Sequence, residues 1–258
     1  MTDDPRLRLI QAWEVGALEA LAFRADLARV GGFLSTIDRH VDFDFANYAF
    51  PVGSPQLGAE VEGLRQLFNA RARRLRIEVN EPAWPELPAQ LRAAGLAEVE
   101  RHALMIASRV HFRSAHHPGV TVELLEAEGP GEKIGWFQSI RATGSGEPLN
   151  PASEDSIERG RVWLRRGHVY ALGHLDGEPA GTGASLPIGQ VADVVGIATL
   201  PEKRGRGVAQ VVTSALLEHL FTRGVETVFL DAEDERAHRL YEKLGFETIG
   251  DRVVFEDR

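Results

Sequence analysis

The residues best suited to do chemistry lie in the run GIATLPEKRGRGVAQVV, residues 196–212. A strand-like segment there runs into a basic, glycine-containing loop that opens a helix, which is a layout that binds pyrophosphate. Gly205 and Gly207 lack a Cβ, so the backbone can approach a ligand and point several N–H groups at it. The N-terminus of the following helix adds positive partial charge. Arg204 and Arg206 add formal charge and Lys203 is in reach to add more; the bland alternative is that all three are solvated loop charges.

Three phosphate-binding patterns compete for this loop. A Walker loop needs G-x-x-x-x-G-K-S/T, which the sequence lacks. A dinucleotide fingerprint needs G-x-G-x-x-G directly after a strand, and Gln210 stands where the third glycine belongs. Asp231 ends the next strand at about the distance of a ribose-binding acid, which favours that pattern. The intervening PEKR and the short remaining chain count against it.

The third pattern fits. Arg204, Gly205, Arg206, Gly207, Val208 and Ala209, preceded by ATLPE, resemble the R/Q-x-x-G-x-G/A signature of the GNAT superfamily of N-acetyltransferases. Downstream, DERAHRLYEKLGF, residues 234–246, resembles the superfamily's second signature, N-x-x-A-x-x-L-Y-x-x-x-G-F. Asp234 replaces the frequent Asn, and Ala209 is the allowed alternative to glycine. The resemblance runs from about Val120 onward and is strongest after Val191.

The resemblance implies acetyl-CoA as acyl donor and a primary amine as acceptor, attacked directly without a covalent enzyme intermediate. It implies that Ile197, Ala198 and Thr199 offer backbone hydrogen bonds to the pantetheine arm and that residues 204–209 cradle the pyrophosphate, with Asp234 and Ala237 contributing from the second signature. A backbone N–H near Ile197 or Ala198 would stabilise the developing oxyanion. Tyr241 sits where the family keeps the acid that protonates the departing thiolate. Read from spacing alone, Tyr241 lies with Ala237, Leu240 and Leu244 on the apolar face of a short helix, where an aromatic is ordinarily core. Asp193 is the candidate base and Glu147 the alternative; both are residue types more often found solvated at a surface. A non-catalytic CoA-binding or sensor protein is the second functional reading.

Around this site the periodicities predict one or two amphipathic helices over 5–29, an irregular aromatic stretch at 40–58 with room for a strand, and helix over 56–72. Strand 75–80, helix 86–94 ended by Gly95, and a strand through HALMIAS follow. Then come a strand at 120–125, helices 133–142 and 154–166, and three strands, HVYALGHL, AGTGASLP and VADVVGIATL. The Asp176–Gly177 pair predicts a tight hairpin turn. Helix 208–223, strand ETVFLDA, helix 235–244 and a strand pair around ETIGDRVVFE close the chain. The expected fold is a mixed α/β (α+β), mostly antiparallel GNAT-type sheet flanked by helices. The polar segment RSAHHPG suggests a boundary, giving a GNAT-like N-terminal half over 1–117 and a catalytic GNAT domain over 118–258.

The halves read as diverged copies: Gly95 aligns with Gly245 and Leu96 with Phe246, each where a short helix leaves for a strand. Leu91 then falls in the place of Tyr241, and no R/Q-x-x-G-x-G/A run precedes it. The N-terminal half is expected to be a degenerate copy.

Composition narrows the partners. The 258 residues are 43% hydrophobic and 26% charged, as in a folded globular protein, with no apolar run long enough to span a bilayer. A net charge of −9 argues against nucleic acid. Zero cysteines remove disulfides and thiolate chemistry, and the nine histidines form no metal-ligand spacing, so no metal is expected. His116 and His117, ahead of Pro118, read as structural or incidental. The expected partner is a small-molecule amine, the expected address is the cytoplasm, and a homodimer is one open option.

Overall fold

The structure is a computed structural model, which describes residues 4–41, 46–144 and 146–257. Residues 42–45, part of the aromatic stretch predicted to be irregular, lie outside the described residues. The chain forms two compact units. One comprises the described residues up to Met105 together with Asp231–Asp234 and the segment from Thr248 onward; the other comprises Ile106–Leu230 and Glu235–Glu247. The units divide within a strand, and the first takes in two stretches from beyond the 117/118 boundary read in the sequence.

In the first unit, Asp4 caps helix α1 (Pro5–Leu21) by accepting the Arg6 N–H at 2.9 Å, with Pro5 in the first turn where its missing donor costs nothing. Strands β1 (Ala25–Val30) and β2 (Phe33–Asp38) form an antiparallel hairpin, followed by β3 (Asn47–Pro51), α2 (Ala59–Asn69), β4 (Arg76–Asn80), α3 (Leu87–Ala93) and β5 (Ala97–Ser108). The helix expected to reach residue 29 thus stops at Leu21. Asp26 and Arg29 fall on opposite faces of β1, so the strand carries no polar–apolar alternation in the sequence, and Gly31, at φ +56°, turns the chain into β2. The sheet of this unit runs β1-β2-β3-β4, then β13 (Glu247–Glu256), then β5. Strand β13 is one continuous strand, not the pair expected from ETIGDRVVFE; Gly250, with no side chain to pack, sits within it. It lies antiparallel to β4 with Val253 opposite Val79 and Phe255 opposite Ile77. Those residues join Phe33, Leu64, Phe68, Leu75 and Leu91 in one apolar core.

The second unit contains β6 (Val120–Leu124), α4 (Gly131–Gly144), α5 (Glu154–Arg165), β7 (Val169–Leu175), β8 (Glu178–Ser185), β9 (Pro187–Ile188), β10 (Val191–Asp193), β11 (Val195–Thr199), α6 (Val208–Thr222), β12 (Thr227–Ala232) and α7 (Glu235–Lys243). Ser153 caps α5 by accepting the Ser156 N–H at 3.2 Å. The β7–β8 turn has Asp176 at φ +54° and Gly177 at φ +88°, as a two-residue hairpin demands. The sheet order is β11-β8-β7-β6, all antiparallel, and β12, β10 and β9 form a further run in which β10 and β12 are parallel.

The run VADVVGIATL, read as one strand, is therefore two. Its first part stays with β12 through Val194, whose N–H donates to Phe229 O at 2.9 Å, and its second part leaves with β8. A bulge between Val195 and Ala198, with Gly196 at φ +61°, makes the break.

The two cap geometries behind the proposed repeat are alike. Gly95 and Gly245 have φ of +92° and +94°, and each follows a short helix. Leu96 N–H donates to Leu91 O at 3.2 Å, and Phe246 N–H to Tyr241 O at 3.1 Å. Leu91 and Tyr241 thus hold equivalent places, the first fully buried and apolar.

Candidate active site

Helix α6 lies close to its sheet because β7 and β8 present glycines. A Cβ at Gly181 would come within 2.5 Å of Val208 Cγ1, and one at Gly173 within 2.5 Å of Val212 Cγ2. This packing buries Val208, Val211, Val212 and Leu216 and brings the first turn of the helix down to the end of β11. Gly207 caps it with φ +78° and no side-chain hydrogen bond. The first helical bond runs from Val211 N–H to Gly207 O at 3.0 Å, so the N–H groups of Val208, Ala209 and Gln210 precede the ladder, as at any helix start.

The loop is held from both sides. Pro201–Lys203 forms a single 3-10 turn, and Leu200 N–H anchors its start on Ala180 O at 2.9 Å. Arg204 Nε donates to Thr199 O at 3.2 Å, tying the loop to the strand, and Arg206 Nη2 reaches Asp176 Oδ2 at 2.8 Å. Both members of that last pair are more than half exposed, so it adds little stability and is easily exchanged for another anion. Around Gly205, at φ +76°, an added Cβ would meet nothing within 4 Å, whereas at Gly207 it would lie 2.6 Å from the imidazole of His117.

Strand β11 is an edge strand: it pairs with β8 on one side, and among the described residues no strand lies on its other side. Ile197, Ala198 and Thr199 therefore lie on an outer edge where β10 and β11 part, with Thr199 O taken up by Arg204; an edge of this kind can accept an added strand-like ligand. This edge, the glycine loop and the start of α6 form a continuous stretch of backbone. An open strand edge leading to helix-start N–H groups is the kind of backbone that receives an extended chain ending in a phosphate.

Of the other expected residues, Asp193 is buried and its Oδ1 accepts the Leu186 N–H at 2.6 Å, a structural bond at the end of β8. Asp234 immediately precedes α7, and Ala237 lies in its first half. Tyr241 lies in the last turn of α7, only 7% exposed, with its ring 5.6 Å from that of Phe246. Glu147 lies in the exposed link between α4 and α5.

Arg141, which the sequence did not single out, stands near the bulge. Arg141 of α4 lies beside it: a Cβ on Gly196 would be 3.2 Å from Arg141 Nε. Its charge, with burial as the larger cause, holds His168 down at about 4, so this histidine is neutral at pH 7. Burial pushes Tyr170 up to about 12, against the opposing pull of Arg141, and its ring stacks on Phe137 at 4.0 Å. No periodicity distinguishes Arg141 from the other arginines; only the fold sets it against a strand more than fifty residues away. His117 was visible in sequence, but its approach to Gly207 was not.

Comparison with known proteins agrees with this geometry. Residues 136–246 match the acetyltransferase (GNAT) family. A mycothiol acetyltransferase of Nocardia farcinica is 29% identical over 210 residues, 77% of this chain and 63% of that one. Another, from Thermobispora bispora, is 48% identical over 66 residues, 25% of this chain and 21% of its own. This chain thus covers less than two thirds of the length of those curated relatives. Among solved structures, a GCN5-related N-acetyltransferase from Kribbella flavida superposes with a TM-score of 0.76 at 24% identity, covering 96% of this chain and 95% of that one. A tandem GNAT protein from the clavulanic acid biosynthesis pathway gives 0.64 at 15% identity, covering 99% and 96%. The shared fold is a mixed, mostly antiparallel sheet flanked by helices.

Proposed function

We propose, from the premise that residues 136–246 belong to the GNAT acetyltransferase family, that this protein transfers an acetyl group from acetyl-CoA to a primary amine of a small molecule. The observation that carries the reading is the parting of β10 and β11 directly upstream of the Gly205–Gly207 loop. Bound acetyl-CoA supplies the thioester that the amine attacks. The backbone of Ile197, Ala198 and Thr199 orients the pantetheine arm; residues 204–209 hold the pyrophosphate; Asp234 and Ala237 complete the contacts. A strand N–H at Ile197 or Ala198 holds the carbonyl oxygen as charge develops on it. Tyr241 gives its phenolic proton to the leaving sulfur. Asp193 takes the amine proton through a water, with Glu147 as the alternative base.

Two relatives named as mycothiol acetyltransferases favour a small-molecule acceptor over a protein. The matching caps at Gly95 and Gly245, with Leu91 in the place of Tyr241, support the N-terminal half as a diverged, non-catalytic copy. The acidic, cysteine-free composition suits work in the cytoplasm.

Burial of Tyr241 against Phe246 favours one second reading, a CoA-binding protein without turnover. The deciding experiment is calorimetric titration with acetyl-CoA of the parent and of an Arg204→Ala, Arg206→Ala double variant, followed by turnover against an amine panel. Binding that collapses in the variant and turnover that follows it support the enzyme. Absence of binding by the folded parent sinks both readings.

A further inference from the structure

Arg141 is a charged group beside the candidate site to which acetyl transfer, as derived so far, gives no task. It lies in the last turn of α4, where that helix meets the β11 edge. A Cβ on Gly144 would stand 3.1 Å from Ala198 Cβ, and one on Gly196 would stand 3.2 Å from Arg141 Nε and 3.5 Å from its Cδ. The side chain therefore runs past Gly196, at a position where the left-handed φ of +61° and the missing Cβ both call for glycine. Thr182 pins the bulge there, its hydroxyl donating to Gly196 O at 3.2 Å. Ile197 follows directly, so the guanidinium adjoins the backbone assigned to the acyl carbonyl.

This charge goes unanswered within the fold. Among the described residues Arg141 makes no ion pair and no side-chain hydrogen bond, although it is partly buried. The other arginines in that condition, Arg109, Arg113, Arg159, Arg223 and Arg236, are all exposed, where water serves the guanidinium. Arg141 bears electrostatically on His168 and Tyr170, and no carboxylate acts on either of them to balance it. The partial negative charge at the C-terminus of α4 offsets some of the cation but gives its N–H groups no acceptor. A partly desolvated cation without an anion is costly, and a ligand that brings the anion relieves that cost. Next to Gly196, Val195 leaves 43% of its surface exposed, so apolar surface adjoins the cation.

We propose that Arg141 receives the carboxylate of the acyl acceptor, which is an amino acid with an apolar side chain and only a few bonds between its amine and its carboxylate. This assignment rests on the acetyl-transfer reading and names the acceptor class within it. The planar guanidinium fork matches a carboxylate through two parallel N–H donors. With the carboxylate seated beside Gly196, a nitrogen a few bonds away reaches a carbonyl held at Ile197 or Ala198, and an apolar side chain covers Val195. The amine nitrogen forms the new C–N bond as the thioester C–S bond breaks. Of the two protons that the ammonium loses, one ends on the CoA sulfur and one in solvent, and the product is an N-acetyl amino acid that keeps its carboxylate.

The test measures acetylation with acetyl-CoA of three matched series: leucine, valine and phenylalanine, their carboxamides, and their aminophosphonate analogues, alongside a panel of simple amines. The amides hold the same amine without the neighbouring anion that keeps it protonated, so amine reactivity alone favours them over the acids. The expected result is the reverse, a kcat/KM for the amino acids about ten- to a hundredfold above that for the amides. That ratio should fall to near one in Arg141→Gln, through KM, and return in part in Arg141→Lys. Amides used as well as acids by the parent, a ratio unmoved in a folded Arg141→Gln, or turnover confined to the phosphonates or the simple amines overturns the proposal and leaves acetyl transfer standing. No acetylation of any compound by a parent that binds acetyl-CoA overturns both.

Discussion

Gly205 and Gly207 offer a controlled experiment, because they share a backbone conformation and differ in their surroundings. Both have left-handed φ, +76° and +78°. Alanine in that region costs about 1–2 kcal/mol, and at Gly205, where a Cβ meets nothing within 4 Å, Gly205→Ala is expected to lose that and no more. At Gly207 the new methyl would stand 2.6 Å from Cγ and Cδ2 of His117 and 2.9 Å from its Cβ. Turning the ring about its own axis does not relieve contacts that include Cβ, so overpacking adds about 1–3 kcal/mol, and Gly207→Ala is expected to lose about 2–5 kcal/mol in all. His117→Ala deletes the two shortest contacts and keeps the third. The double variant should therefore recover part of the loss, with a coupling of about 1 kcal/mol or more. Urea denaturation of the parent, both glycine variants, His117→Ala and the His117→Ala, Gly207→Ala pair measures this directly. Equal losses at the two glycines, or additivity of His117→Ala and Gly207→Ala within about 0.5 kcal/mol, would refute the argument.

Other outcomes follow from the same geometry. Tyr241→Phe should keep acetyl-CoA affinity while turnover falls about a hundredfold to ten-thousandfold; unchanged turnover would assign the ring to the core alone. Asp193→Asn should melt near the parent, since Asn can still accept the Leu186 N–H, and should lose turnover if the carboxylate is the base; Asp193→Leu should cost a further ~1–3 kcal/mol. His168 sits at about 4 in the folded chain against an ordinary 6.5 for a solvated histidine, so the unfolded chain binds the proton more readily. Its contribution, at most about 3 kcal/mol, is whole above pH 6.5 and drains away as pH falls from 6.5 toward 4. A His168→Gln variant should lose less stability across that window in acid-melting curves. Arg141→Ala should raise the His168 titration midpoint followed by NMR, because a nearby positive charge is removed.

The sequence made the glycine loop, its helix and the Asp176–Gly177 hairpin legible because each rests on local backbone chemistry: positive φ, missing Cβ atoms and an apolar stripe. The β1–β2 hairpin escaped because Asp26 and Arg29 mask the alternation of a strand, although the Gly31–Gly32 pair marked its turn. The division of VADVVGIATL escaped because nothing local reports it. Val194 and Val195 are equally good strand formers, and only their different partners, Phe229 on one side and Ala184 on the other, separate them. The same reason hid Arg141 and the carboxylates around Arg252, which come together from α1, β4, β12 and β13.

Strand β13 bears on how the protein is made. Its pairing with β4 joins residues about 175 positions apart, as between Glu78 and Arg252, so closing that ladder carries the loop entropy of most of the chain. On the ribosome, residues 25–80 emerge early but cannot complete their sheet until residues 247–256 follow. Until then β4 offers a bare edge, with Ile77 and Val79 short of the neighbours that cover them in the finished core. Residues 25–80, translated before their partner strand, thus mature only after it, and in the interval they present edge and apolar surface of the kind a chaperone covers.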